Sequence, residues 1–337
     1  MCFETRRQIA AYFGFGDYNK VVFCKNATEA LNLAIRGFVL KFHEKHDRKP
    51  RLVSTMAEHN SVLRPLFHLL KENLIDLKLA PLTTQSTIAY DALLLLLANC
   101  DMAVVTAASN VTGDITDFEL VGNACRDAGV FLLADASQSA GSVEIPFAAY
   151  GVSAVAFTGH KYLLGPAGVG GLVFCGEPPF LPIMQGGTGV HSQSIHQPQQ
   201  IPLLYEAGTH NSIGIAGLNA ALKYRAGAEF SAIRDKGVNF ALKLARRLAA
   251  DRKFKVLGNP QAPQRAPAVS FVATGWNCED MGHVLWENGG IVCRTGLHCA
   301  PLIHKAAGLP EGSVRVSFSV YTTEPEYERL VELLGKF

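Results

Sequence analysis

The sequence predicts an α/β fold: a mainly parallel sheet covered by helices on both faces, followed by a smaller C-terminal α+β unit. Three observations predict it. Short apolar runs at 51–56, 103–108, 129–134, 152–157 and 169–175 are each bounded by Gly, Asp, Asn or Ser. Helical stretches such as 58–72 and 117–128 fall between several of them. Beyond residue 250 the pattern changes to short strands with charged helices. Strands that alternate with helices need crossover connections, which produce parallel pairing with helices on the sheet faces.

Taken in order, residues 3–13 read as a helix, with Phe3, Ile9, Ala10 and Phe13 loosely on one side. Asn26-Ala27-Thr28-Glu29 precedes a second helical pattern, Ala30, Leu31, Ala34, Ile35 and Phe38. Gly186-Gly187-Thr188-Gly189 opens a polar stretch that runs to Gln200 and reads as a long loop of the kind that carries function. From Asn211 the helical pattern continues to about Ala250, which predicts one long connector helix over 212–250. Strands are expected at 267–273, 290–294 and 313–319, and a final helix from Glu324. The expected organisation is a large unit over 14–225, with 226–337 and the N-terminal helix 1–13 forming a smaller one.

The 337 residues are enough for one large domain and a smaller one. Apolar content of 48% and charge of 18% provide an ordinary core. A net charge of +2 argues against a nucleic-acid or polyanion partner. The longest unbroken apolar run, Ala92 to Ala98, is far short of the ~20 residues of a membrane span. The N-terminus carries Glu4, Arg6 and Arg7 and no apolar signal core, so a cytoplasmic location is expected. The cysteines at 2, 24, 100, 125, 175, 278, 293 and 299 form no C-x-x-C pair, and no metal site is expected. Most read as buried small hydrophobes, with Cys299 the exception.

The chemistry concentrates on Lys161 and Asp135. Lys161 lies in the small-residue turn Thr158-Gly159-His160-Lys161, where a lysine can form a Schiff base with an aldehyde cofactor. Asp135 follows the apolar run Val130–Ala134, and ligands of open α/β sheets bind at strand carboxyl ends. A carboxylate there can hold a pyridinium nitrogen protonated; it can equally be a helix N-cap. Together the two suit pyridoxal phosphate.

Around them, Asn26-Ala27-Thr28 opens a helix, an anion site by its free N–H groups and dipole. No GxGxxG or Walker pattern occurs, so nucleotide binding is not supported. His59 can stack on a pyridine ring, and the amides of Asn110 and Gln138 can donate to its phenolic oxygen. Each also reads as an ordinary cap, turn or surface residue. Arg294-Thr295-Gly296-Leu297-His298-Cys299-Ala300-Pro301 places a cysteine beside a histidine. Arg315 interrupts a strand-like alternation and suits a bidentate grip on a carboxylate, or else faces solvent.

In these stretches the chain resembles the cysteine desulfurases of the class V aminotransferase family, which have the pyridoxal-phosphate transferase fold type I. The matching segments also include Ala57-Glu58-His59-Asn60, Ser109-Asn110-Val111-Thr112-Gly113, Ala134-Asp135-Ala136-Ser137-Gln138, Glu206-Ala207-Gly208-Thr209-His210-Asn211 and Arg315 through Thr322. Their number and order make the resemblance specific.

The resemblance implies Lys161 as the Schiff-base lysine, Asp135 as the pyridinium partner and His59 as the ring-stacking catalytic histidine. It implies Gln138 and Asn110 beside the phenolic oxygen and substrate, and Ala27, Thr28, Thr158 and His160 as the phosphate cradle. Thr209 would reach the phosphate of the partner subunit, which implies a homodimer with shared sites. Arg315, with Arg294, would hold the substrate carboxylate, and Cys299 would accept sulfur as a persulfide.

The implied reaction converts L-cysteine to L-alanine, with a possible protein acceptor for the sulfur. The alternatives are selenocysteine lyase, an aminotransferase or a β-eliminating lyase of the same family; the last two leave Cys299 idle. A non-enzymatic sulfur-transfer partner or inactive dimer subunit is a third reading. Relatives carry a Leu-Asp-Asn-Ala-Ala-type motif before the first helix, whereas Met1 here falls inside that helix, so the chain reads as N-terminally shortened.

Overall fold

The structure, a computed structural model, describes residues 1–337, the side chains of residues 231 and 232 excepted. Its elements begin with α1 (Cys2–Tyr12), β1 (Val21–Cys24), α2 (Ala27–Lys45), β2 (Arg51–Thr55), α3 (Asn60–Lys71), β3 (Asp76–Ala80) and α4 (Tyr90–Leu97). Then come β4 (Met102–Thr106), α5 (Phe118–Ala128), β5 (Phe131–Asp135), β6 (Ala154–Thr158) and β7 (Gly170–Phe174). The C-terminal part comprises α6 (Ser212–Arg225), α7 (Ala228–Arg234), α8 (Lys236–Ala250), β8 (Phe254–Val256), β9 (Ala268–Ala273), α9 (Cys278–Gly289), α10 (Pro301–Ala306), β10 (Val314–Ser317) and α11 (Glu324–Leu334).

The first seven strands form one sheet in the order β1-β7-β6-β5-β4-β2-β3. Strands β2 to β6 pair in parallel; β7 runs antiparallel to β6 and to β1. Alternate side chains explain the three layers. Val53, Ala103, Val105, Leu132, Ala134, Val155 and Phe157 enter one core cluster. Their neighbours Leu52, Met102, Val104, Leu133, Ala154 and Ala156 enter the other. Helices α4, α5 and α6 cover the first face through Leu93, Phe118, Val121 and Leu218. Helices α2 and α3 cover the second through Leu31, Ile35, Val62 and Leu66. This is the α/β architecture that the strand and helix alternation predicts.

A second sheet, β10-β9-β8, is antiparallel and shares a third core with α8, α9 and α11. Three expectations need correction. One connector helix is expected over 212–250; the chain instead forms α6, α7 and α8, broken at Gly227, which is extended (φ −74°, ψ 148°), and at Asp235. Glycine is a poor helix former, and the apolar periodicity reads through the break. A strand is expected at 290–294; Gly290 ends α9 in the left-handed region (φ 64°), and only Arg294 forms a bridge, to Arg315. Helix α1, grouped from sequence with the small unit, packs on the large one: Ile9 and Ala10 share a core with Phe157, Ile215 and Leu218.

Candidate active site

The parallel strands deliver their carboxyl ends to one edge of the sheet. There β5 ends at Asp135, β6 at Thr158 just before His160 and Lys161, β4 at Thr106, and β2 just before Glu58 and His59. The start of α2 closes the opposite side. Gly170 on β7 permits that approach: a Cβ there would come within 2.9 Å of Asn26 Cα and 2.5 Å of Phe157 O. The result is a cavity of about 280 Å³ lined by Ala27, Thr28, His59, Asn110, Asp135, Gln138, Thr158, His160, Lys161 and Arg294.

Asp135 is buried, and its Oδ1 accepts from the N–H (2.9 Å) and hydroxyl (2.5 Å) of Ser137. No hydrogen bond reaches Oδ2 among the described residues. Burial pushes the Lys161 ammonium below its ordinary range; Asp135 opposes the shift, while Arg315 and Arg294 reinforce it. Burial likewise lowers His59, against Asp135 and with help from Lys161, Arg294 and Arg315. The Ser61 N–H donates to His59 Nδ1 (3.0 Å), so the neutral ring carries its proton on Nε2. His160 is lowered by burial and by Lys161, and its Nδ1 lies 2.9 Å from Thr158 Oγ1.

The C-terminal unit grips the loop after β4 by four successive carbonyls. Arg315 Nη1 donates to Asn110 O (2.9 Å), Ser270 Oγ to Val111 O (2.6 Å), Arg265 Nη2 to Thr112 O, and Ala266 N–H to Gly113 O (2.8 Å). Gly113 (φ 74°) is required there, because a Cβ would meet Ala268 O at 2.5 Å. In return Asn110 Nδ2 donates to His298 O (2.7 Å), and Arg294 Nη2 to Cys299 Sγ (3.3 Å). His298 (φ 51°) and Cys299 (φ 58°) are consecutive non-glycine residues in the left-handed region, each costing roughly 1–3 kcal/mol. Strain of this size is kept only where the surroundings hold it.

Thr209 is not brought to this cavity; it lines a separate hollow with Phe23, Lys25, Glu29 and His210. Arg315 and Cys299 do not line the cavity either, but each bonds to a residue that does, Asn110 and Arg294 respectively.

The sequence reasoning misses Ser61, Ser137 and Thr106, which line the cavity. Ser61 and Ser137 stand two residues after His59 and Asp135, the spacing at which an Asx-type turn returns a hydrogen bond, and this spacing is legible in the sequence. Glu58 is also missed. It is fully buried, accepts from Thr55 Oγ1 (2.7 Å) and Thr106 N–H (3.0 Å), and burial pushes its carboxyl up to about 8.

The donor set fits pyridoxal phosphate. Thr28, Thr158 and the N–H groups at the start of α2 suit a phosphate, Asp135 Oδ2 a ring nitrogen, the uncharged His59 a ring face, and Lys161 an aldehyde carbon.

The chain is similar to known proteins. The family model described as Aminotransferase class-V matches residues 2–330. A protein named probable cysteine desulfurase from Methanothermobacter thermautotrophicus is 30% identical, covering 98% of this chain and 82% of its own length. Probable cysteine desulfurase 2 of Mycobacterium leprae is 32% identical over 97% of this chain and 78% of its own. The apo structure of a cysteine desulfurase from Thermococcus onnurineus NA1 superposes with a TM-score of 0.88 at 28% identity, covering 99% of this chain and 83% of that one. The cysteine desulfurase CsdA from Escherichia coli, in an S-sulfonic acid form, gives 0.88 at 25% identity with the same coverage.

Proposed function

The chain belongs to the class-V aminotransferase family, and we propose on that basis that it is a pyridoxal-phosphate-dependent cysteine desulfurase. It converts L-cysteine to L-alanine and leaves the sulfur on Cys299 as a persulfide. The observation that carries the reading is the pairing of Arg294 with Cys299 Sγ (3.3 Å) beside the cavity that holds Lys161 and Asp135. An aminotransferase needs no thiol there.

Bound pyridoxal phosphate supplies the electron sink that lets the substrate's Cα–H and Cβ–S bonds break. The chain supplies the rest. Lys161 anchors the cofactor, and its amine, kept low in proton affinity by burial, takes the Cα proton. Asp135 holds the ring nitrogen protonated, and His59 covers the ring. Ala27, Thr28, Thr158 and His160 cradle the phosphate, and Gln138 and Asn110 serve the phenolic oxygen. Arg315 holds the substrate carboxylate with Arg294 at its side, which fixes the direction of the Cα–H bond. Cys299, as thiolate, attacks the substrate sulfur; the Cβ–S bond breaks and the sulfur stays on the enzyme.

Thr209 serves the site of a second subunit, so the working form is a homodimer. Its place outside the cavity of its own chain supports this reading. A protein acceptor takes the sulfur in turn. No helix among the described residues is long and apolar enough to cross a membrane, and the reducing cytoplasm is the proposed compartment.

The test is the product analysis of purified holoprotein given L-cysteine, with and without a thiol reductant. Alanine and reductant-released sulfide in equal amounts support the assignment. Pyruvate with ammonia, or a keto acid, without alanine would replace it with a β-eliminating lyase or an aminotransferase.

A further inference from the structure

We propose that His298, Ser313 and His304 form a buried hydrogen-bond relay that holds the Cys299 turn in its left-handed conformation, which makes the two histidines positioning residues for sulfur capture. The inference rests on the reading of Cys299 as the sulfur acceptor.

All three side chains are buried beneath that turn. His304 Nδ1 lies 3.0 Å from Ala300 O; a carbonyl only accepts, so Nδ1 carries the proton. Burial lowers the proton affinity of His304, so its ring is neutral and Nε2 is a bare lone pair. That lone pair accepts from Ser313 Oγ at 3.0 Å. The hydroxyl has spent its one proton, so its oxygen accepts from His298 Nε2 at 3.1 Å. Every proton of the relay is thereby assigned, and His298 is the Nε2–H tautomer. Its Nδ1 has no hydrogen-bond partner among the described residues. Burial, Arg315, His304 and Arg294 hold His298 uncharged, at about 3.

The relay adds side-chain links among the start of α10, the 298–299 turn and the residue before β10, where the main chain already pairs Gly296 with Ser313 through two hydrogen bonds of 3.1 Å. The main chain adds to it. Asn110 Nδ2 takes the His298 carbonyl (2.7 Å), and Asn60 N–H donates to the Cys299 carbonyl (2.8 Å). Two left-handed residues in a row relax to ordinary backbone once the ring of His298 loses its anchor. The sulfur then leaves Arg294 Nη2, the guanidinium that now lies 3.3 Å from it. Loss of that contact changes the position from which the sulfur meets a reagent.

The experiment uses holoprotein without substrate. Ser313→Ala, His304→Phe, the double variant and Ser313→Thr are treated with iodoacetamide at one pH. Peptide mass then gives the alkylation rate at Cys299 relative to Cys175, an exposed free cysteine directly after β7. The ratio is expected to fall at least five-fold in each disrupting single variant. It should fall no further in the double, because residues of one relay fail together. Ser313→Thr, which keeps the hydroxyl, should restore it. A ratio within two-fold of wild type, or above it, in a folded Ser313→Ala or His304→Phe protein overturns the proposal; His304→Phe decides if Ser313→Ala does not fold. No cysteine is turned over, so the result stands apart from whether the chain desulfurates cysteine.

Discussion

Arg294 and Arg315 exchange both of their backbone hydrogen bonds, Arg294 N–H to Arg315 O at 2.9 Å and Arg315 N–H to Arg294 O at 2.7 Å. Residues paired in this way project their side chains from the same face of an antiparallel ribbon. One guanidinium therefore reaches the Cys299 sulfur while the other reaches the Asn110 carbonyl. Each lowers the proton affinity of Lys161, which connects the two ends of the proposed chemistry.

Replacing Arg315 with Lys keeps the charge and loses the fork. A charge-assisted bidentate contact of roughly 1.5–3 kcal/mol corresponds to a KM for cysteine about 10–150-fold higher. Steady-state alanine formation checks it; an unchanged KM would remove Arg315 from the carboxylate site.

Replacing Lys161 with Met removes the covalent anchor. Wild-type holoprotein reduced with borohydride should gain the mass of a reduced cofactor adduct, and the variant should not, with desulfuration falling by at least about 10³-fold. An adduct at another lysine would contradict the assignment.

Replacing Cys299 with Ala should abolish sulfide release from cysteine and leave the visible absorption of the bound cofactor in place. Intact mass after brief exposure to cysteine should show an added sulfur on the wild type only. A fully active Cys299→Ala protein would take the persulfide out of the mechanism.

Glu58 predicts a pH dependence of stability. Its folded-state value, about 8, lies above the ordinary value of 4.5, so the folded protein holds a proton that the unfolded chain has lost. The contribution is complete below the ordinary range and is lost as pH rises towards about 8. At about 1.4 kcal/mol per unit the loss is on the order of a few kcal/mol. Glu58→Gln keeps an acceptor for Thr106 N–H and should flatten the urea-unfolding stability between pH 5 and 8. The lowered values of Lys161 and His59 are common to both proteins and cancel in the comparison.

Arg6 and Glu206 form a bidentate pair at 2.8 and 2.6 Å, with side chains 10% and 1% exposed. Glu206 also accepts from Phe23 N–H (2.6 Å), tying α1, β1 and the segment of Thr209 together. Arg6→Met removes the bidentate cation and leaves the buried carboxylate with His210 Nε2 (3.1 Å) and the Phe23 N–H as its side-chain and backbone partners, at a cost of roughly 3 kcal/mol. Thermal unfolding reads this as a drop of several degrees; Arg6→Met with Glu206→Leu should recover part of it.

Much of the fold is legible along the chain because its signals are local. Strands β2 and β4 to β7 show as apolar runs of the right length, since strands buried on both faces need no polar alternation. β1, β3, β8 and the helices α4 and α9 leave no comparable signal. Four-residue β1 gives too short a signal, and the polar residues of β3 hide an edge strand. The motif residues were legible in kind, since a lysine after a strand end or an asparagine before a helix carries its own chemical meaning.

The layered α/β class and the set of reactive side chains can be read along the chain, because periodicity and strand-end chemistry depend on near neighbours. Packing chooses which of those side chains meet. Asn110 and His298 stand 188 positions apart and Arg6 and Glu206 200, and nothing local encodes such pairings. The same holds for Glu58, whose raised proton affinity arises from complete burial beneath the cavity, and for α1, which joined the large unit because the apolar face beside Phe157 and Leu218 had room for Ile9 and Ala10. Burial and long-range hydrogen bonds are properties of the packed chain, and they set protonation states and geometry that the order of residues leaves open.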